Sequence, residues 1–166
     1  MFWVFQVLRH YQHLLKEGIS RHRDRLPELA SIAATLEKTV GEVEIVFGHN
    51  DLLAANFIDD GEKIWLIDFD YAGFNSPLFD LSNLASNNEL TVDQEIMMVE
   101  DYFGCSKDRR QWRSYYAMKC ASLLRETLWS MVSEIHSQLD IDFSTYTAKN
   151  LERFEQAFEQ FSHEYQ

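Results

Sequence analysis

One short segment with strand-forming residues, 43–68, interrupts a sequence that is otherwise patterned for helices, and this arrangement restricts the possible folds. Residues 43–47 are rich in β-branched side chains, and residues 56–58 and 63–67 predict two further strands. Between them, residues 59–62 favour a hairpin turn, because Asp and Gly accept positive φ angles. The sequence therefore predicts an α+β fold that is mostly α, with one small β-hairpin.

Helical periodicity is found on both sides of this segment. Apolar residues recur at helical spacing from residue 2 to residue 17, with Gly18 as the stop, and Thr91 with Gln94 forms a capping box. The predicted helices cover residues 2–17, 27–39, 78–85, 91–104, 108–136 and 144–161.

Composition restricts the partners of the chain. The net charge is −12, from 15 basic and 27 acidic residues, and 46% of the residues are hydrophobic. A globular, acidic protein repels a phosphate backbone and attracts cations, so we expect no nucleic-acid partner. The two cysteines are too few for a disulfide framework, and the chain has neither a membrane-spanning run nor a signal peptide, so we expect a cytoplasmic protein.

Three polar residues predict a magnesium site beside an acid–base group. Asp51 lies on a loop that leaves the first strand, Asn56 enters the hairpin, and Asp68 follows its return strand. The hairpin brings Asp68 back towards Asn56, and a carboxylate with an amide oxygen suits Mg²⁺. Asp51 lies nearby and is free to orient a hydroxyl group and accept its proton.

These residues resemble the motifs of a known family. The pattern His49-x-Asp51-x-x-x-x-Asn56 resembles the catalytic loop of protein kinases, aminoglycoside phosphotransferases and choline kinases. Asp68-Phe69-Asp70 resembles the metal-binding segment that follows this loop. Residues 49–53, 66–73 and 75–83 are typical of choline and ethanolamine kinases, and the resemblance covers nearly the whole chain.

The resemblance implies a role for each matching residue. Asp51 and His49 are the candidate catalytic residues, with Asp51 as the base and His49 bracing the loop. Asn56 and Asp68 would hold Mg²⁺ with its ATP, and Asp70 stands where the family has a second acidic residue near the metal.

Two of the acidic residues have structural alternatives. Asp80 is expected to be a structural acid that supports the catalytic loop. For Asp70 and Asp80 a structural and a functional role are equally open, and Asp59 and Asp60 are expected to be turn residues only.

The acceptor side of the site is predicted on the last two helices. Trp129 and Tyr146 fall where choline kinases place pocket aromatics, and Glu126 lies one helical turn before Trp129. Plain helix packing is the alternative for both aromatics. Asn87 stands where choline kinases often have a pocket glutamate, which argues against choline as the substrate. Ethanolamine, another amino alcohol, thiamine and a sugar alcohol remain open.

The family also has an N-terminal lobe with a glycine-rich loop and a strand lysine that bind ATP. No two of the six glycines here are close enough for such a loop, and none of the six lysines lies in a strand before the catalytic loop. We therefore expect a single C-terminal lobe, with a helical lead-in (1–42), a catalytic and metal segment (43–75) and a helical substrate-side subdomain (76–166).

Two functions follow from this expectation. The first is an ATP- and Mg²⁺-dependent kinase that phosphorylates the hydroxyl of a small cationic alcohol. The second is a truncated, inactive lobe that acts as a binding or interaction module. An isolated lobe exposes apolar surface, which we expect to include Phe2, Trp3 and Phe5, so self-association or pairing with a separate N-terminal lobe is possible.

Overall fold

The structure is a computed structural model that describes residues 2–106 and 108–165. Within these residues it contains six α-helices, two short 3₁₀ turns (Arg23–Arg25 and Ala54–Asn56) and four three-residue strands. The helices are α1 Val4–Glu17, α2 Leu26–Val40, α3 Pro77–Asn87, α4 Val92–Phe103, α5 Arg109–His136 and α6 Phe143–Tyr165. The strands are β1 Val46–Gly48, β2 Phe57–Asp59, β3 Ile64–Leu66 and β4 Gly73–Asn75.

Helix α5 is the centre of the molecule. It packs against α1, α2, α3 and α6. Its middle part is apolar on several faces, with Met118, Ala121, Leu124 and Leu128 fully buried. A helix that is apolar on most sides must be covered on most sides, which explains its central position.

The helix ends agree with local sequence signals. Thr91 and Gln94 form the predicted capping box of α4, and Asp108 with Gln111 forms a second one at the start of α5. Helix α4 ends at Gly104, which adopts the left-handed conformation that glycine tolerates best. All six predicted helices are present, with ends shifted by a few residues.

The strands form two separate antiparallel pairs. Strands β2 and β3 form the predicted hairpin, with Phe57 opposite Leu66. The strand predicted at 43–47 instead covers only Val46–Gly48, and it pairs with β4, which the sequence analysis did not predict. In this second pair Val46 lies opposite Asn75, so residues 49–72 form a connecting segment whose two ends lie side by side.

The predicted fold class, a mostly helical α+β fold with a small antiparallel hairpin, is confirmed. No helix among the described residues combines the length and the apolar character that crossing a membrane requires.

The prediction of which apolar residues are exposed is wrong at the N-terminus. Phe5 is buried in the main core, and Phe2 and Trp3 are partly buried and pack against it. A group of large exposed apolar side chains lies instead in and beside the strands, at Ile45, Phe47, Ile58, Ile64, Trp65, Ile67, Phe69 and Phe74.

Candidate active site

The candidate catalytic loop begins directly after β1 and is anchored by a carboxylate from α3. The backbone N–H groups of His49 and Asn50 donate to the two carboxylate oxygens of Asp80, both at 2.7 Å. Asp80 lies in the first turn of α3, where the helix dipole favours a negative charge. The predicted structural role of Asp80 is confirmed by these two bonds.

Close approach of this carboxylate explains Gly48. A Cβ atom at position 48 would lie 2.8 Å from Asp80 Oδ2 and 3.2 Å from its Cγ. A side chain at this position would displace the Asp80 carboxylate from the loop backbone, so glycine allows the close approach.

Asn50 connects the loop by hydrogen bonds to residues 71–75, at the other end of this connecting segment. It is fully buried with φ of 65°, a left-handed conformation that asparagine accepts more readily than most residues. Its Nδ2 donates to the carbonyls of Tyr71 (3.0 Å) and Gly73 (3.2 Å), and its Oδ1 accepts from Asn75 Nδ2 (3.0 Å). The catalytic loop and the segment that follows β3 are therefore one rigid unit.

Two asparagines near the end of α3 hold the next part of the loop. Asn83 Oδ1 accepts from the backbone N–H of Leu52 at 2.6 Å, and Asn88 Nδ2 donates to the Leu52 carbonyl at 3.0 Å. Asn83 also donates to Ser122 on α5. The motif at residues 79–83 thus positions the catalytic loop rather than forming a site of its own.

His49 is locked in one orientation. Its Nδ1 lies 3.3 Å from the backbone N–H of Asp51 and must accept, so Nε2 carries the proton and donates to the Ile67 carbonyl at 2.8 Å. The ring also meets Phe69 edge to face, with centroids 4.7 Å apart. With both nitrogens engaged, the buried imidazole suits bracing of the loop better than proton transfer.

Asn56 and Asp68 are brought to the same end of the hairpin. Asn56 is buried, and its Nδ2 donates to the Asp51 carbonyl at 2.9 Å, which leaves Oδ1 as its available ligand atom. The backbone N–H of Ile67 donates to the Asn56 carbonyl at 3.0 Å, so Asp68 follows directly at this end. Asp68 has φ of 61°, a conformation that is uncommon outside glycine and recurs at functional sites.

The oxygen atoms of this segment are suitable ligands for a Mg²⁺ ion that is held by only a few protein groups. Asp68 and Asp70 are exposed, and neither carboxylate has a hydrogen-bond or ion-pair partner within the described part of the chain. Over that same part no three His, Cys, Asp or Glu side chains are grouped as metal ligands. Mg²⁺ typically takes one or two carboxylates and completes its shell with phosphate and water oxygens, so this set is compatible with it.

Asp51 faces a buried arginine that the sequence analysis missed. Arg125 Nη1 lies 3.6 Å from Asp51 Oδ1 and 3.8 Å from Glu126 Oε2, and the Arg125 side chain is 4% exposed. The sequence signal was a charged pair, Arg125 and Glu126, in a stretch of α5 that also contains Leu123, Leu124 and Leu128. Tyr11 borders the same group: burial raises the pKa of its hydroxyl, and the nearby Arg125 opposes that shift.

The three predicted acceptor residues lie together. Tyr146 donates its hydroxyl to Glu126 Oε1 at 2.8 Å, and burial together with the Glu126 charge raises the pKa of Tyr146 to about 12. Trp129 meets Tyr146 edge to face, with centroids 6.3 Å apart, and it meets Phe143 at 6.0 Å. Through Glu126 and Arg125 this cluster is continuous with Asp51.

Asn87, at the position where the family often has a glutamate, contributes a buried Nδ2 with no hydrogen-bond partner among the described residues. A separate cavity of about 630 Å³ lies between the ends of α2 and α4 and the starts of α3 and α5. Asp51, Asn56, Asp68 and Glu126 do not line it, so it is distinct from the candidate active site.

Comparison with known proteins gives a consistent picture. The sequence model of the choline/ethanolamine kinase family matches residues 3–116. Ethanolamine kinase 2 of Rattus norvegicus is 31% identical over 93% of this chain, which corresponds to 46% of that protein. The chain spans about half the length of the curated relatives that it matches.

Solved structures agree with the fold. The crystal structure of a choline/ethanolamine kinase family protein from Mesorhizobium loti has a TM-score of 0.88 at 24% identity, covering 97% of this chain and 56% of that one. A structure of LicA in complex with AMP has a TM-score of 0.76 at 22% identity, covering 96% and 55%.

Proposed function

Because the chain belongs to the choline/ethanolamine kinase family, we propose that it supplies the catalytic half of a kinase that transfers the γ-phosphate of ATP to the hydroxyl of a small amino alcohol. The observation that carries this proposal is the rigid loop that holds Asp51 beside Asn56. Catalysis of phosphoryl transfer depends mainly on positioning and charge, so a preformed loop is what the reaction requires.

Asp51 would act as the base. The acceptor oxygen attacks the γ-phosphorus while the bond from that phosphorus to the β–γ bridging oxygen breaks, and ADP leaves with the electron pair. The hydroxyl proton goes to the Asp51 carboxylate. Its side chain is partly exposed, so it can contact an acceptor, and its backbone is fixed by contacts with His49 and Asn56.

Asn56, Asp68 and Asp70 would hold Mg²⁺ with the phosphates of ATP. The ion would neutralise charge that develops on the phosphate oxygens. The hard oxygen donors and the unpartnered carboxylates of Asp68 and Asp70 support this assignment.

Glu126, Trp129 and Tyr146 would form the acceptor pocket. Glu126 provides a carboxylate for an ammonium group, and the two aromatic side chains restrict the space around it. The likeness to rat ethanolamine kinase 2 favours an amino alcohol over a sugar alcohol.

The exposed strand residues support a nucleotide-binding partner lobe. Phe47 and Phe74 are in edge-to-face contact and are 63% and 56% exposed, which is unusual for adjacent aromatic residues. We propose that an ATP-holding lobe, in the same polypeptide or in a separate chain, covers this surface. The structure of LicA, which has a similar fold, is a complex with AMP, and this supports a nucleotide as a ligand of the proposed kinase.

A second candidate function is a binding or interaction module without turnover. The observation that favours it is the lack of any glycine-rich loop or strand lysine in this sequence. In that case the described cluster would bind a small cationic alcohol, and the exposed strands would bind a protein partner.

Acceptor-dependent ADP formation separates the two functions. The chain is mixed with Mg²⁺ and ATP, and ADP is followed in the presence of ethanolamine, choline or thiamine. Formation of one phosphorylated product in equal amount to ADP would establish the kinase. Binding of an acceptor by calorimetry with no ADP, both in the chain alone and in a sample that also contains the proposed ATP-holding lobe, would establish the module instead.

A further inference from the structure

A positively charged side chain, that of Arg125, adjoins the acceptor cluster formed by Glu126, Trp129 and Tyr146. Arg125 is buried in the middle of α5, and its guanidinium lies between the carboxylates of Asp51 (3.6 Å) and Glu126 (3.8 Å). Both distances exceed a hydrogen bond, and Nε and Nη1 are buried without a hydrogen-bond partner among the described residues. The arginine is therefore held mainly by charge and by its surroundings.

Those surroundings include two aromatic faces. The guanidinium carbon lies 5.5 Å from the ring centroid of Tyr71 and 6.0 Å from that of Phe2, within the range of cation–π attraction. Two carboxylates and two ring faces are the groups with which proteins bind a quaternary ammonium. In this chain these two carboxylates and two rings surround the Arg125 side chain.

Resting on the proposed phosphotransferase function, we propose that Arg125 determines acceptor specificity: it occupies the place that a quaternary ammonium would need, and the pocket therefore selects alcohols with a primary amine. A primary ammonium is small and donates hydrogen bonds, so it can bond to the lone pairs of the Glu126 carboxylate that Tyr146 leaves unused and offset repulsion from Arg125. A trimethylammonium group donates none and depends on aromatic faces, and Arg125 already occupies two of those nearby, the faces of Tyr71 and Phe2.

The test compares two acceptors in two arginine variants. Kd values for ethanolamine and choline are measured by calorimetry with the parent chain, Arg125→Leu and Arg125→Lys, and kcat/KM values are measured by ADP formation. We expect the parent to prefer ethanolamine. The ratio of choline to ethanolamine should rise about tenfold or more in Arg125→Leu, because the ring faces become available, and stay close to the parent value in Arg125→Lys.

Matched controls separate specificity from stability. Arg25→Leu removes an arginine that pairs with Glu28 and Glu155, outside the acceptor cluster, and should leave the ratio unchanged. Arg125→Met removes the same charge with an unbranched side chain, and it replaces Arg125→Leu if that variant does not fold.

Each outcome separates the inference from the proposed function. An unchanged ratio in a folded Arg125 variant, a parent that prefers choline, or a folded parent that binds neither acceptor would overturn the role of Arg125. Acceptor binding with the expected change in the Kd ratio, but without ADP formation even when the proposed ATP-holding lobe is present, would support that role and overturn the kinase.

Discussion

Asp80 shows how much of the candidate active site depends on contacts between single residues. Its carboxylate accepts hydrogen bonds from two backbone N–H groups of the candidate catalytic loop, and the absence of a side chain at Gly48 allows this close approach. Hydrogen bonds to a charged acceptor contribute about 1.5–3 kcal/mol each, so a small displacement here costs both stability and loop geometry.

A substitution at Gly48 tests this close contact. Gly48→Ala should lower the free energy of unfolding by about 1–3 kcal/mol, because the new Cβ would collide with the Asp80 carboxylate. Urea unfolding measures the change. Gly73, the strand partner of Gly48, is the matched control: its nearest neighbour would lie 3.7 Å from a Cβ, so Gly73→Ala should be neutral or slightly stabilising. Equal losses in both variants would contradict the account.

The Tyr146–Glu126 contact predicts a pH effect. Because the folded-state pKa of Tyr146 is raised to about 12 from the ordinary value near 10, the folded chain holds this proton more tightly than the unfolded chain. Its contribution to stability is complete below pH 10 and is lost as the pH rises from about 10 to 12.

Absorbance titration of the phenol groups measures this shift. The difference between the parent and Tyr146→Phe should show one group that titrates late, and in Glu126→Gln that group should titrate closer to the ordinary pKa. Glu62→Gln, in the exposed hairpin turn, is the control and should change nothing. A Tyr146 that titrates at the ordinary pKa in the parent would show that this contact does not form in solution.

At the scale of elements, the helices are stabilised by local signals as well as by packing. The capping box of α4 satisfies two backbone donors through Thr91 and Gln94. Thr91→Ala should therefore lower the free energy of unfolding by about 0.5–2 kcal/mol, as measured by thermal or urea unfolding. Thr35→Ala makes the same change on an exposed face inside α2, where alanine is the better helix former, and should not destabilise. A loss at position 35 as large as that at position 91 would argue against the capping role.

The same scale shows why some elements were predictable. The α4 capping box and the β2–β3 hairpin depend on residues within a few positions of one another, so the sequence alone predicts them. Strand β4 contains a glycine and an asparagine and forms only because β1, far away in sequence, pairs with it. For the same reason Arg125 was missed, since its meeting with Asp51 depends on the packing of α5 beside the catalytic loop.

The site residues were also predictable where they share a local motif, whereas the exposed apolar surface was not. Motif spacing placed Asp51, Asn56 and Asp68 on one loop and hairpin, and the structure brings these segments together. Their chemical roles remain proposals. The exposed apolar residues were predicted at the N-terminus, but the amphipathic face of α1 packs onto α5 and leaves the strands exposed instead.

At the scale of the whole molecule, the exposed strand residues predict association. Phe47 and Phe74 together present a two-ring surface to solvent. We expect the isolated chain to show a mass that rises with concentration in light scattering after size exclusion, and the double variant Phe47→Ser/Phe74→Ser to stay monomeric.

Two isolated apolar residues provide the control for this experiment. Ile19 and Leu139 are at least as exposed as the strand aromatics, but they lie outside the strands. Serine at both positions should leave association as in the parent. A parent that is monomeric at every concentration would contradict the association prediction.

The most direct test of the proposed kinase is the rate of ADP formation with ethanolamine in the parent and in Asp51→Asn, each measured with the proposed ATP-holding lobe present. The variant keeps the size of the side chain and removes its ability to accept the hydroxyl proton. The account predicts acceptor-dependent turnover in the parent and a loss of about 10²–10⁴-fold in the variant, with unchanged ethanolamine binding. Equal rates in the two proteins, or no acceptor-dependent ADP in the parent, would contradict it.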